Sequence, residues 1–352
     1  MKIETNVIQR ACGKIAKIKY NKDYPISEYT LLSFKAETQN ALLRATDGYI
    51  FVEVDMPCEG VENDCDFIVE ANKLIKLVGK TTKDAMTFIA KDNCLKVKGN
   101  GSYSLEVIDE DFLEIPEFTN AQVCEADFKV LKPALLDAIK CKSGMSNQPL
   151  LSGVCINSAS VWGTDVCKFV SNEFETGVMD RILLSDLMCT LIPCLDGAKG
   201  VIYPDVENLS CAMKVNDTLI YGQLLEGAEM YPDLGQLFEG DNKAVVTVNK
   251  NEVLQAMDRL SIFTDETDAK VAIAVIEEGV GLSVGGKSVE QLEVKSTFNI
   301  VPTTLIVAMS AFKDIVSIMQ NDFIELHYHT DDEGGALFVS DGITNGGVAL
   351  SE

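Results

Sequence analysis

Two histidines, His327 and His329, stand at alternate positions in the run FIELHYHTDD. Alternate residues of a strand share a face, so the pair offers two imidazoles to a metal, with a third ligand needed from elsewhere. An exposed strand face is the plainer reading. No Walker loop, GxGxxG, GxSxG or HExxH accompanies them. The 11 cysteines contain no CxxC pair; the nearest neighbours, Cys58/Cys65 and Cys189/Cys194, lack zinc spacing, and none lies beyond Cys211. They read as small buried thiols in a reducing cytoplasm. The GNG of residues 99–101 sits between the alternating runs LKVK and SYSLEV, which makes it a hairpin turn and not a phosphate cradle. Carboxylates are plentiful, but spacing singles out no pair. The residue chemistry points to a binding protein with no catalytic residue, metal or cofactor; an enzyme built on the histidines or a cysteine is the alternative.

The elements that would hold such a surface are clearer. At about 100–200 residues per domain, 352 residues make two or three domains. The start, MKIETNVIQR, carries Glu4 and no apolar core, so no signal peptide is expected, and the longest apolar runs are strand-sized. A strand–break–helix unit recurs as FIVEANKLIKLVGK (67–80), RILLSDLMCTLIPC (181–194) and LIVAMSAFKDIVSIMQ (305–320). A second set of helices, 9–19, 129–142 and 248–260, follows the same period. Asn72 and Ser310 are candidate N-caps, and Pro133 suits a first helical turn. Everything between reads as strands parted by turn signals. The fold class is α+β: three similar domains, 1–120, 121–241 and 242–352, each with two helices on an antiparallel sheet.

A net charge of −24, from 30 basic and 54 acidic residues, argues against nucleic acid when taken whole. Its distribution reverses that. The six helical segments 9–19, 71–80, 129–142, 185–196, 248–260 and 309–320 hold 14 basic but only 6 acidic residues in 72 positions. Arg10, Lys14 and Lys17 form one stripe beside an apolar face of Ile8, Cys12 and Ile15; Lys73, Lys76 and Lys80 form another beside Leu74, Leu77 and Val78. A solvated lysine face is the bland reading. It does not account for the scarcity of acids, which suit helices as well as lysine does. A basic, helix-lined surface inside an acidic shell suits a phosphate backbone followed without base reading. The last three segments sum to −2, so the basic lining belongs to the N-terminal half.

LLRATDGYIFVEVDM (42–56), DFIVEANKLIKLVGK (66–80), YSLEVIDEDF (103–112), VWGTDVCKFV (161–170), YGQLLEGAEMYPDL (221–234), KNEVLQAMDRLSIFTDET (250–267) and MSAFKDIVSIMQNDFIEL (309–326) occur in an order that resembles the bacterial-type DNA polymerase III beta sliding clamp family. The resemblance implies a head-to-tail homodimeric ring in the cytoplasm, its helices lining a hole that encircles double-stranded DNA. Such a ring tethers the replicative polymerase and meets its clamp loader, without catalysis. It implies DNA contacts at Arg10, Lys14, Lys17, Lys22, Lys73, Lys76, Lys80, Lys132, Lys140 and Gln148. The dimer edges would hold Tyr103 and Leu105 against Ile262 and Phe263, with Lys96 and Lys98 meeting Glu290 and Glu293. A partner-peptide pocket would use Thr164, Lys168, Phe169, Pro232, Leu237, Val348 and Leu350. Two features depart from the family: Gln236 stands where an arginine is usual, and GGVALSE lacks the usual apolar-and-proline tail, so weaker peptide binding is expected. The alternative within this resemblance is a ring-fold interaction scaffold of a mobile element that no longer loads on DNA.

Overall fold

A computed structural model of the chain describes residues 1–91, 94–118, 121–145, 147–234, 243–264, 269–276, 279–286, 288–329 and 335–351. One module, a strand, a helix and three more strands, occurs six times. The first module is β1 (Lys2–Glu4), α1 (Thr5–Ile15), β2 (Tyr29–Lys35), β3 (Asn40–Thr46) and β4 (Phe51–Pro57), and the second β5 (Cys65–Glu70), α2 (Ala71–Gly79), β6 (Ala85–Lys91), β7 (Cys94–Lys98) and β8 (Ser102–Ile108). The third is β9 (Cys124–Asp127), α3 (Phe128–Cys141), β10 (Val154–Ile156), β11 (Ser160–Thr164) and β12 (Lys168–Glu173), and the fourth β13 (Ile182–Leu184), α4 (Asp186–Cys189), β14 (Lys199–Asp205), β15 (Ser210–Val215) and β16 (Thr218–Gln223). The fifth, β17 (Lys243–Asn249), α5 (Lys250–Ser261), β18 (Lys270–Ile276), β19 (Gly279–Val284) and β20 (Ser288–Leu292), adds β21 (Val294–Phe298). The sixth is β22 (Thr303–Ala308), α6 (Met309–Ile318), β23 (Phe323–His329), β24 (Ala336–Ser340) and β25 (Thr344–Ala349).

The chain packs as two compact units, 1–132 with 184–224, and 133–183 with 225–352. The first holds a 12-stranded antiparallel sheet in the order β1-β6-β7-β8-β5-β2-β3-β4-β16-β15-β14-β9. The second holds a nine-stranded sheet, β13-β10-β11-β12-β25-β24-β23-β17-β21, and a four-stranded one, β20-β19-β18-β22. These units follow the sheets and not the repeats: the middle stretch of chain gives β9 and β14–β16 to the first unit's sheet and β10–β13 to the second's.

Helix starts differ from the sequence expectations for one physical reason. The helices leave their strands directly or after one residue, and in α1, α3, α5 and α6 a carbonyl beside a neighbouring strand takes the first orphan N–H. Thr5 N donates to Asp84 O at 2.9 Å, Phe128 N to Ala198 O at 2.9 Å, Lys250 N to Asp322 O at 2.9 Å and Met309 N to Ala269 O at 2.8 Å. So α1 begins at Thr5, ahead of residue 9. Glu70 and Ala308 occupy the caps of α2 and α6, placing Asn72 and Ser310 inside their helices. Pro133 lies in the interior of α3 and not in its first turn. The segment 185–196 is helical for one turn only; Ser185 caps it, and a tighter turn over Ile192–Cys194 containing Pro193 follows.

Asp341 ties the end of α6 to the β24–β25 hairpin. Its carboxylate accepts from the amides of Gln320, Asn321 (2.9 Å), Ile343 (3.0 Å) and Thr344 (2.8 Å). Burial acts to raise its pKa, but these four amides outweigh it and hold the carboxyl below its ordinary value. A depressed carboxyl contributes stability above its unfolded pKa, near 3.9, that is lost as the pH falls through the folded value. Asp341→Ala, which orphans the amides, is expected to cost about 2 kcal/mol in denaturant melts at neutral pH. That deficit should shrink as the pH is lowered below about 4.

Candidate nucleic-acid interface and docking edges

The first unit's helices carry the most exposed cations. In α1 the residues Ile8, Ala11 and Ile15 are buried while Arg10 is exposed, and Lys17, in the turn just past the helix, is exposed as well. Lys14 sits on the flank of that stripe and is withdrawn from the surface. Its ammonium, 11% exposed, lies 3.2 Å from Asp217 and 3.9 Å from Asp196, and donates to Thr218 Oγ1 at 2.5 Å. Burial acts to raise the Asp217 carboxyl, but the Thr218 hydroxyl and Lys14 together bring it below its usual value. Lys132 is likewise bound, to Asp196 at 2.9 Å and to Pro193 O at 3.1 Å. Both therefore act as internal ties in place of the exposed contacts expected of them.

Lys22, Lys76 and Lys80 are exposed, and Lys73, 63% exposed, leans on Glu70 at 2.5 Å. In the second unit Lys140 pairs with Asp137 at 3.4 Å, and Gln148 accepts from Ser143 Oγ at 3.0 Å. The helices α5 and α6 neutralise themselves: Lys313 bonds Asp258 at 2.5 Å and Arg259 grips Glu290 through two bonds of 2.9 and 2.8 Å.

Two strand edges bear on the expected contacts between copies. In the first unit β8 pairs fully with β7, but with β5 only through Ile108 and Val107, so residues 102–106 present an unpaired edge. Tyr103 is 42% exposed there, and Lys98 is exposed on the adjoining strand, whereas Lys96 is half-buried. Leu105, at 6% exposure opposite Leu95, belongs to the core and not to the expected contact surface. In the second unit β20 is an edge strand. Ile262 and Phe263, just past α5, are 75% and 68% exposed, and Glu293 is exposed. Val289 on β20 is a further exposed apolar residue that the sequence reading missed; a lone Val in an alternating strand carries no signal of which neighbour is absent.

The second unit also concentrates aromatic residues where Thr164–Phe169 meets Tyr231–Leu234. Trp162, Phe169, Tyr231, Leu234 and Phe338 form one buried cluster with Cys155 and Leu183. Phe169 lies edge-on to Phe338 at 6.0 Å, Trp162 Nε1 donates to Pro232 O at 2.9 Å, and Thr164 N donates to Tyr231 Oη at 3.1 Å. Arg181 sits 5.0 Å over the Trp162 ring and donates to Tyr231 O. Lys168 bonds Asp314. Of the expected pocket walls, Pro232 is exposed and Leu350 half-buried, but Val348 is fully buried on an interior strand paired to both β12 and β24. Val348 therefore belongs to the sheet interior, paired with Lys168, and is not an open pocket wall. Leu237 and Gln236 lie outside the described residues.

No protein-family model matches the chain. It is 21% identical over 226 residues to the beta sliding clamp of Bacillus subtilis, spanning 61% of this chain and 59% of that protein. It is also 21% identical over 302 residues to the beta sliding clamp of Synechococcus elongatus, 81% of this chain and 78% of that one. Among solved structures, the DNA polymerase beta subunit of Streptococcus pyogenes superposes with a TM-score of 0.88 at 14% identity, over 100% of this chain and 99% of that one. The Helicobacter pylori beta clamp bound to a DNA ligase peptide gives 0.85 at 15% identity and 100% of both chains. The fold is that of a bacterial beta sliding clamp.

On this clamp fold the remaining candidate groups have structural partners. His327 and His329 do share a face of β23, but His327 Nε2 sits 3.1 Å from Glu325 and the His329 ring packs edge-on to Phe338 at 5.8 Å. Burial pushes the thiols of Cys12 and Cys141 up to about 12 and that of Cys155 to about 11, far from nucleophilic range. No helix among the described residues is long and apolar enough to cross a membrane. Gly347 was not singled out from the sequence, yet the cluster needs it: a Cβ there would stand 2.4 Å from the Phe169 ring. Gly347→Ala is expected to displace that ring and to cost about 1–3 kcal/mol by overpacking, read as a lowered melting temperature. Phe169→Leu in the same chain should recover part of the loss.

Proposed function

We propose that the chain is a DNA sliding clamp: two copies close head to tail around duplex DNA and tether a replicative polymerase in the cytoplasm. The chain would divide into domains 1–120, 121–241 and 242–352, each of two modules. The observation that carries this reading is the fate of the six strands that end the modules. Within the chain β4 pairs with β16 and β12 with β25, which leaves residues 102–106 of β8 and the outer side of β20 without a strand partner among the described residues. Open edges are templates for pairing with another chain. Two unlike edges on one chain make a heterologous contact, which forms a ring when its rotation closes. Tyr103 on one copy would meet Ile262, Phe263 and Val289 on the other, with Lys96 and Lys98 facing Glu290 and Glu293.

A closed ring cannot leave DNA sideways, so weak phosphate contacts suffice and no reacting group is required. Arg10, Lys17, Lys22, Lys73, Lys76 and Lys80 supply those contacts, while the acidic exterior keeps DNA from binding elsewhere. Polymerase and clamp-loader peptides dock at the aromatic cluster beneath Pro232, anchored against Phe169. The Helicobacter pylori clamp, which shares this fold and was solved with a DNA ligase peptide bound, supports peptide docking.

Light scattering on a sizing column should find two chains per particle at micromolar concentration; a monomer contradicts the ring. Each buried apolar anchor contributes about 1.5–3 kcal/mol, so Ile262→Ala with Phe263→Ala should give folded monomers. Replacing Lys73, Lys76 and Lys80 with Glu should abolish retention on circular DNA and flatten its salt dependence. Lys313→Glu should have a smaller effect, because Asp258 already neutralises Lys313.

A further inference from the structure

The chain has two straps of the same pattern. Ile115-Pro116-Glu117-Phe118 precedes the third module, and Tyr231-Pro232-Asp233-Leu234 follows the fourth. The two prolines stand 116 residues apart, one period of the internal repeat. The second strap roofs the aromatic cluster. The first lies in the first unit across the face of the 12-stranded sheet, and it too packs on aromatics: Phe118 is 5.1 Å from the Tyr203 ring and 6.5 Å from Tyr221.

Beside this first strap lies an open cavity of about 480 Å³, walled by Ile115, Phe118, Tyr203 and Leu219, with Val123 67% exposed at its margin. A second cavity, of about 590 Å³, shares Arg44 with it and is lined by Asp109, Glu110, Asp111 and Glu114. Those four carboxylates are exposed, and none has a basic partner among the described residues. Arg44 does not offset them, since Glu53 holds its guanidinium at 2.6 and 2.8 Å with both side chains largely buried. An apolar trough thus runs into an acidic one on a single sheet face. We propose that this first strap is a docking site for a short segment of a partner protein that joins a bulky apolar anchor to a run of Lys or Arg.

The apolar anchor would lie against Phe118 and Leu219 and the basic run would neutralise the four carboxylates. Such a site uses one strap for basic segments and leaves the other to segments chosen by apolar shape. The proposal goes beyond the clamp reading and stands whether or not the ring closes.

A fluorescein-labelled twelve-residue peptide with a Leu-Phe pair followed by four lysines, titrated against the full chain by anisotropy, tests it. Val123→Asp, and separately the triple change Asp109→Asn, Glu110→Gln and Asp111→Asn, should each weaken binding tenfold or more. All four positions are exposed, and unchanged melting curves would confirm intact folding. A control triple change of exposed acids elsewhere in the same unit, Glu37, Glu62 and Glu207 to Gln, should stay within twofold. Replacing Leu-Phe by Ala-Ala in the peptide should also cost tenfold. Equal weakening by the control triple, or equal binding of the Ala-Ala peptide, would reduce the effect to diffuse attraction by an acidic protein and overturn the proposal. Absence of binding would overturn it as well.

Discussion

Strand edges govern this molecule. An antiparallel strand left without a neighbour exposes a row of amides and carbonyls that must be paired, covered or blunted. Six modules produce six terminal strands. The four residue pairs from Thr218↔Val54 to Tyr221↔Phe51 join β16 to β4, and the five from Lys168↔Val348 to Asn172↔Thr344 join β12 to β25. Those joins turn separate modules into long sheets and set the compact units across the repeat boundaries. The same sheets cap α1, α3, α5 and α6, because the carbonyl that takes the first amide of each lies beside a neighbouring strand. Helix register is therefore a consequence of strand pairing.

Charge is arranged on top of that scaffold. An acidic chain with basic helices concentrates its positive field where a polyanion can be held and repels it elsewhere. Not every helix cation takes part. Lys14 and Lys132 converge on Asp196 inside the first unit, and the cations of α5 and α6 are matched by Asp258 and Glu290. A lysine matched in this way changes little in the outward field, so the exposed basic surface is narrower than a count of basic residues suggests. It is also concentrated toward the N-terminus.

The two straps show how the repeat diversified. Both straps set a proline between apolar residues and lay the chain over aromatic side chains, but their surroundings differ. Around Pro232 the Trp162, Tyr231 and Phe169 rings close into a core that depends on Gly347 for room. Around Pro116 the face stays open and runs into unpaired carboxylates. One architectural element thereby offers two surfaces of different chemistry.

Much of this was legible in the residues. The apolar period marked the regions of all six helices, though 185–196 holds a single helical turn and α1 starts earlier than expected; turn signals parted the strands, and the uneven distribution of Lys and Arg marked the helical surface, because periodicity and composition are local properties. The exposed Arg10 and Lys17 were found in this way, whereas Ile262 and Phe263 came only from the resemblance to the clamp family. Other features depended on what lies opposite. Lys14 differs from Arg10 only by the presence of Asp217, more than two hundred residues away in sequence. Leu105 is core and Tyr103 surface although both point from one face of β8, since packing covers one and not the other. Gly347 matters only because a phenylalanine ring from another strand lies on it. Sequence alone determined which segments are helices and strands and which carry charge. Tertiary structure decided which charges are spent, which apolar residues are covered and which edges stay open, because each of those is settled by a partner distant along the chain.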